Sequence, residues 1–556
     1  MVSLSNAKSQ TFVFGAVILM FSNILVKVIG AIFKIPLTNT IGVDGMAYFN
    51  AAYSIYVTLY NVSTSGLPVA ISRMVAAENS RGNLKEVSRI FKIAFRLFFV
   101  IGLAGMLVMV AFSRSFASFS KLDDSYLAMI AIAPTLFFIC LSSAGRGYFQ
   151  GLQNMIPTAV SNIIESLGKL GIGLAAAWYF YTVLGYNLPI VAAFVISGVT
   201  VGVFAATVYV YIVKFRFTRS DEYKAKLASS ADFSVRPWPS ILRELVVTAI
   251  PIVLASSIMG LTNTVDTFFM TRRLLVTGLS SEAATSFYGT YSAMVVPLFN
   301  MIPPLIYPFA IGVIPALSAS LSKGNKEECA LQTESAFRIA AIIALPCAIG
   351  MGALSKNIIS FLFSGSEQVI HAGDSAITTT ALAASALTVL SPAIFLLGMI
   401  AITNSVLQAH RFERKTIFAT TAGILVKIAV TYLLSGVPGI GVNGSAIGTA
   451  LCYLTVFALN LYFVIRYTHF VPRIRKVFLK PFLAAALCGI SAVFTVRLLD
   501  GHLPGKFLTL VAIAVAALVY LLVLLALKGF NRADILMLPK GNKICRMMEK
   551  CGVLEK

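Results

Sequence analysis

Acidic side chains are scarce in this chain, with 22 Asp and Glu against 44 Lys and Arg in 556 residues, and charged residues of either sign make up only 12% of it. That is too little charge to clothe a water-soluble surface. A phosphate-cradling Walker loop, a nucleophile elbow and a two-carboxylate constellation are all lacking, which removes ATPase, hydrolase and glycosyltransferase readings, and no enzymatic activity or bound cofactor is expected. The seven cysteines (Cys140, Cys329, Cys347, Cys452, Cys488, Cys545, Cys551) have no metal-ligand spacing, and the four histidines (His371, His410, His469, His502) are dispersed. Neither a disulfide framework nor a zinc site is implied. Alternating ten-residue strands are absent too, which argues against a membrane β-barrel.

What is there is apolar. Hydrophobic residues make up 58%, and mean hydropathy is +0.87. Such a chain is at home in a bilayer, where the backbone must satisfy itself within helices. Apolar runs at 11–36, 45–72, 97–113, 126–145, 157–178, 188–213, 244–271, 285–320, 339–355, 376–408, 416–434, 441–465, 481–496 and 507–527 predict an all-α integral membrane protein of about fourteen transmembrane helices. The first run has no small-residue cleavage site behind it and is expected to stay as an anchor.

The net charge of +22 would suggest nucleic acid in a soluble protein, but its placement tells otherwise. Of the 44 basic residues, 33 fall on the side bearing both termini, 7 on the opposite side and 4 within spans. Both termini are therefore expected in the cytoplasm of a bacterial cell, with the protein in its plasma membrane. No aromatic-plus-basic motif points to nucleic acid, and anionic membrane lipid is the natural partner of the excess charge.

Two features divide the chain. The segment 214–243 is basic, with Ser229-Ser230-Ala231 and Arg236-Pro237-Trp238-Pro239, and reads as a cytoplasmic linker. On either side of it weak self-similarity appears: Gly66-Leu67-Pro68-Val69-Ala70-Ile71-Ser72 lies 246 residues before Gly312-Val313-Ile314-Pro315-Ala316-Leu317-Ser318, and each is followed by a Gly-Asn pair, Gly82-Asn83 and Gly324-Asn325. Gln150 and Gln408, then Leu167-Gly168-Lys169 and Leu425-Val426-Lys427, repeat at 258, so an insertion must separate the two registers. The expected organisation is an N-lobe over 1–213 (six spans), the linker 214–243, a C-lobe over 244–466 (six spans), two extra spans within 467–528 and a cytoplasmic tail over 529–556. Even-numbered repeats have parallel topology, so two six-helix lobes would be related by a pseudo-two-fold along the membrane normal.

Phe14-Gly15 through Lys27-Val28-Ile29-Gly30 and Lys34-Ile35-Pro36, then Ser65-Gly66-Leu67-Pro68 with Ser72-Arg73, then Gly147-Tyr148-Phe149-Gln150-Gly151, together with the 6+6+2 arrangement, resemble bacterial polysaccharide-biosynthesis membrane proteins. Within these the chain is most similar to the stage V sporulation protein B and MurJ-like lipid II flippase group. The resemblance implies the multidrug/oligosaccharidyl-lipid/polysaccharide exporter fold, a lipid-linked oligosaccharide substrate carried by alternating access from inner to outer leaflet, and an extra helix pair forming a lipid groove. It also implies that Lys27, Lys34 and Arg73 line the cavity and meet the diphosphate. Cell-wall synthesis enzymes are the protein partners such a chain would meet, and a monomer is the expected working unit.

The residues themselves offer a short set of membrane-embedded polar groups, each expensive at roughly 2.5–3.5 kcal/mol on insertion scales. Asn23, Lys27 and Lys34 share one helical face, Lys27 too deep to snorkel easily. Arg73 closes span two, and its counterpart at the 246 offset is the uncharged Ala319. Asp266 precedes Arg273 by two turns, and the doublet Arg272-Arg273 stands out on a side poor in basic residues; both arginines are candidates for an anionic head group, and Asp266 for ion coupling or structural pairing. Glu165 precedes Lys169 by four residues, the favourable ion-pair orientation. Lys427 takes the repeat-equivalent place of Lys169 without that carboxylate. A sugar diphosphate carries about two negative charges, which Lys and Arg can solvate. A coupling ion, Na+ or H+, or the membrane potential, worth roughly 2.3 kcal/mol per charge per 100 mV, would supply the drive. A cation-coupled multidrug exporter of the same fold and a non-transporting sporulation or cell-wall scaffold remain the competing readings; the first would want carboxylates rather than lysines, the second no particular cavity residue.

Overall fold

The structure, a computed structural model, describes residues 4–64, 66–230, 234–372, 375–468, 473, 475–529 and 531. Ser65, His469, Cys545, Cys551 and the basic tail with Ile535-Leu536-Met537-Leu538-Pro539 lie outside the described residues. Apart from one short β hairpin the described chain is helical, as a membrane-buried backbone requires. Eleven helical runs among the described residues are long and apolar enough to cross a bilayer. The protein is thus a multi-pass, all-α membrane protein.

Two compact units divide the chain, Met1–Thr271 and Arg272–Lys556. The first contains α1 (Leu4–Thr64), α2 (Leu67–Ser80), α3 (Leu84–Ala111), the short α4 (Ser113–Ser120), α5 (Tyr126–Gly151), α6 (Ile156–Ala177), α7 (Leu188–Arg219), α8 (Asp221–Ala228) and most of α9 (Trp238–Val276). The loop expected between spans one and two is instead a kink: α1 is two helices joined at Gly42, whose φ of 69° is open to glycine at little cost. The segment 214–243 carries more structure than a free linker. Helix α7 continues to Arg219, α8 follows, and Arg236 ties the segment's end to α3, its Nε donating to Glu86 at 2.8 Å and its backbone N–H to the same carboxylate at 3.1 Å. Partial burial works to lower the Arg236 pKa, and hydrogen bonds to Glu86 and Glu244 outweigh it and raise it.

The core of this unit explains the glycine motifs. Leu67, Ile71, Met74 and Val75 of α2 pack with Ile90, Phe91, Phe98, Cys140, Ala144, Tyr148 and Phe149. A Cβ on Gly147 would come within 2.8 Å of the Pro68 carbonyl, and one on Gly151 within 2.8 Å of the Ser72 carbonyl. Small residues four apart on α5 therefore let two backbones approach, the usual basis of helix association in lipid. Helices α6 and α7 use the same device at Gly168, Gly173, Gly198 and Gly202.

The second unit follows with α10 (Ser281–Thr290), α11 (Val296–Asn300), α12 (Pro303–Ser322), α13 (Lys326–Ala353), α14 (Ser355–Phe363), the antiparallel hairpin β1 (Val369–Ala372) and β2 (Ser375–Thr378), α15 (Thr379–Leu390), α16 (Pro392–Ala409), α17 (Glu413–Leu434), α18 (Val442–Thr468), α19 (Lys480–Leu499) and α20 (Gly505–Ala526). Leu354, Cys488, Ala492, Ala512 and Ala516 bind the last two helices to the body, and Tyr520 donates to the Ile342 carbonyl at 2.7 Å.

Corresponding local structures recur in the two units. Gly82 and Gly324 both have positive φ, Asn83 and Asn325 both cap the next helix by accepting the Glu86 or Glu328 N–H, and α3 and α13 are both 28 residues long. Each is followed by a short helix, α4 or α14. Farther on, Gln153 and Arg411 are left-handed at 61° and 63°, preceding α6 and α17 of 22 residues each. The β1–β2 hairpin stands between these two registers in the second unit only, accounting for the insertion that the sequence offsets require. The shared turn sets the first offset at 242, which puts Pro315 rather than Ala319 opposite Arg73; the charge asymmetry is unchanged.

Replacing Gly147 with Val should cost about 1–3 kcal/mol through overpacking and lower the detergent-solubilised melting temperature. Gly171→Ala, where an added Cβ meets nothing within 4 Å, should leave it unchanged or slightly raised; equal melting of the two variants would contradict the close-packed α2–α5 contact.

Candidate functional site

The kink at Gly42 returns the second half of α1 alongside the first, so that Lys34 Nζ donates to Asn50 Oδ1 at 3.1 Å. A ladder of rings descends from this point: Phe33 to Phe49 at 6.0 Å, Phe49 to Tyr53 at 5.9 Å, Tyr53 to Tyr56 at 5.8 Å and Tyr56 to Tyr60 at 6.1 Å between centroids. Helix α6 presents Lys169 to it, with Nζ 4.9 Å from the Phe33 ring centroid and 4.7 Å from that of Tyr53. Two aromatic faces here replace water around an ammonium.

Glu165 does not take Lys169 as its ion-pair partner. Its Oε2 lies 3.1 Å from Arg146 Nη2 of α5, so the anticipated i,i+4 pair gives way to a bridge between helices. Glu165 lies one turn before Lys169 on α6, and Lys27 lies two turns before Lys34 on α1. Lys27, Lys34, Glu165 and Lys169 thus gather around one stretch of α1. Asn23 and Lys27 are exposed, Lys34 is half-buried, and Arg73 is exposed on α2. Serine and threonine hydroxyls join α1 to α9, Ser54 to Thr267 at 2.7 Å and Thr58 to Thr264 at 2.6 Å.

The remaining candidates lie elsewhere. Asp266 is 5% exposed on α9. Helix α9 runs on to Val276, so the Arg272-Arg273 doublet belongs to its last turns rather than to an outer loop. Arg272 is exposed, whereas the Arg273 guanidinium sits 4.4 Å from the Tyr432 ring centroid and against Gly436, a packed position in the second unit. Lys427, 1% exposed on α17, is fully interior; Lys169, its counterpart, is half-buried.

Three partners escaped the reading of the sequence. Arg146 lay one residue past the expected end of span four, but α5 continues to Gly151; an arginine between Gly145 and Gly147 was the available signal. Asn50 and Tyr53 carried none, because their relevance depends on the fold-back at Gly42.

The all-helical fold is shared with solved membrane transporters. Lipid II flippase MurJ in an inward closed conformation superimposes with a TM-score of 0.63 at 14% identity, covering 91% of this chain and 98% of that one. An inward-facing multidrug resistance MATE family transporter of the MOP superfamily gives 0.61 at 15%, covering 79% and 94%. The family described as polysaccharide biosynthesis protein matches residues 12–321, and the chain belongs to that family. Among curated relatives from Bacillus subtilis (strain 168), lipid II flippase MurJ is 23% identical over 91% of this chain and 94% of its own length, and stage V sporulation protein B is 23% identical over 95% and 98%.

Glu165→Gln should strand the largely buried Arg146 and destabilise the protein by about 1–3 kcal/mol. The Arg146→Met/Glu165→Met double variant should recover most of that loss. Thermal unfolding of wild type, Arg146→Met, Glu165→Met and the double variant in one detergent tests the bridge, and full additivity of the two single losses would refute it.

Proposed function

We propose that the chain is a flippase that carries a lipid-linked cell-wall precursor, a polyprenyl diphosphate sugar, from the inner to the outer leaflet. The observation that carries the reading is the charge balance around α1: Lys27, Lys34 and Lys169 gather there, while the one carboxylate among them, Glu165, is engaged by Arg146. The balance is positive, suited to a diphosphate and unsuited to an organic cation. Lys34 and Lys169 would supply hydrogen bonds that replace the hydration lost by the phosphates, and Lys27 and Arg73, exposed on α1 and α2, would meet the head group as it enters. Tyr53 and its neighbours would hold Lys169 in place until the anion arrives. The established family membership and the curated relatives at full length support this substrate class.

The likeness to a multidrug transporter supports the competing exporter reading at the level of fold alone. A fourteen-span arrangement is supported by the break at Gly42 within Phe21–Ser80 and by the lengths of α6 and α9, 22 and 39 residues, which add three crossings to the eleven. Outward movement of an anion down an inside-negative potential would need no nucleotide; the doublet Arg272-Arg273, Asp266 and Lys427 would then tune ion coupling or packing rather than bind first.

In a strain depleted of its own precursor flippase, the wild-type gene should restore growth, and Lys27→Ala or Arg73→Ala should abolish rescue while the protein inserts at normal levels. Full rescue by both, or protection from cationic dyes without any wall phenotype, would contradict the proposal. Orientation is checked separately in a cysteine-free background: Lys224→Cys should react with an impermeant maleimide only after permeabilisation, and Glu282→Cys in intact cells.

A further inference from the structure

Helices α5 and α7 enclose a groove of about 540 Å³ on the first unit, lined by Phe138 and Leu141 on one side and Phe204, Val208, Ile212 and Phe215 on the other. Its polar atoms are consumed within the fold: Thr207 donates to the Phe138 carbonyl at 3.0 Å and Tyr211 to the Leu141 carbonyl at 2.9 Å. What remains is an apolar trough whose single cationic lining residue is Arg216, at one end. Arg219 stands beside it, its guanidinium 4.0 Å from the Phe215 ring centroid. The neighbouring Lys214 faces the other way, 4.0 Å from the Phe91 centroid and 5.6 Å from that of Tyr148, and takes no part.

We infer that this groove binds one anionic diacyl phospholipid, an acyl chain lying along the trough and the phosphate on Arg216. Length selects the occupant. Phe204 to Arg216 rises about 18 Å along a helix, close to one leaflet of a hydrocarbon core about 30 Å thick. A single acyl chain fits that span, whereas a long polyprenyl tail overruns it. Charge selects the head group, because a guanidinium forms charge-assisted bonds with phosphate and finds in a zwitterionic lipid a competing choline. The excess of Lys and Arg at this end of the spans favours the cytoplasmic leaflet, where anionic lipids hold such segments.

Native mass spectrometry of the full chain in detergent, titrated with phosphatidylglycerol and phosphatidylcholine of matched acyl chains, tests this. The wild type should retain one phosphatidylglycerol in preference by about fivefold or more. Arg216→Gln should bring the two lipids near parity, Val208→Trp should fill the trough and weaken both, and Lys92→Gln, an exposed cation on α3 outside the groove, should behave as wild type. Equal retention of the two lipids, an unchanged Arg216→Gln, a Lys92→Gln as damaging as Arg216→Gln, or displacement of phosphatidylglycerol by an equal concentration of polyprenyl phosphate would overturn the inference.

Discussion

Hydrocarbon cannot solvate a charge, and the charged side chains around α1 among the described residues answer that constraint. Arg146 and Glu165 meet each other, Lys169 lies over two aromatic rings, and Lys34 reaches an amide sixteen residues away. Two of these contacts cross between helices, so the polar groups also join α1, α5 and α6. The kink at Gly42 is the enabling feature, since an unbroken α1 would carry Asn50 and Tyr53 away from Lys34 and Phe33.

The two units share local backbone features and differ in their charged groups. Turns that need a positive φ and an asparagine cap persist, as do the lengths of the helices after them, because backbone geometry leaves few alternatives. The surroundings and identities of the charged positions match less closely. Lys427 is interior where Lys169 is half-buried, Arg73 faces an uncharged counterpart, and Glu334 and Arg338 on α13 are buried and 3.6 Å apart while Lys92 and Arg96 at the matching places of α3 are exposed.

Much of the fold was legible because bilayer helices write themselves in runs of apolar residues, and the repeat could be heard in Gly82-Asn83 and Gly324-Asn325. Gly147 and Gly151 were visible as a motif, though only the structure gives their reason in the Pro68 and Ser72 carbonyls. The site was less legible. Lys27, Lys34 and Lys169 are singled out by the cost of a charge in a span, which is a local property. Which cation Glu165 would answer to, where Arg273 would stack and how far α5 and α9 would run are tertiary facts; periodicity along one helix does not specify the neighbour that a side chain meets.

A positive cluster in a membrane helix is held at a standing energetic cost, and an anionic substrate is the natural means of relieving it. That links the constraint to the proposed transport: the cations are best satisfied when a diphosphate is bound and must be released from it by the membrane potential and the geometry of the cycle. The most direct test is translocation in proteoliposomes of a fluorescent lipid-linked sugar diphosphate beside an uncharged glycolipid with the same tail. Rapid movement of the diphosphate alone, abolished in a Lys27→Ala/Lys34→Ala protein, is the predicted result; equal movement of the neutral lipid, or an undiminished rate without the lysines, would contradict it.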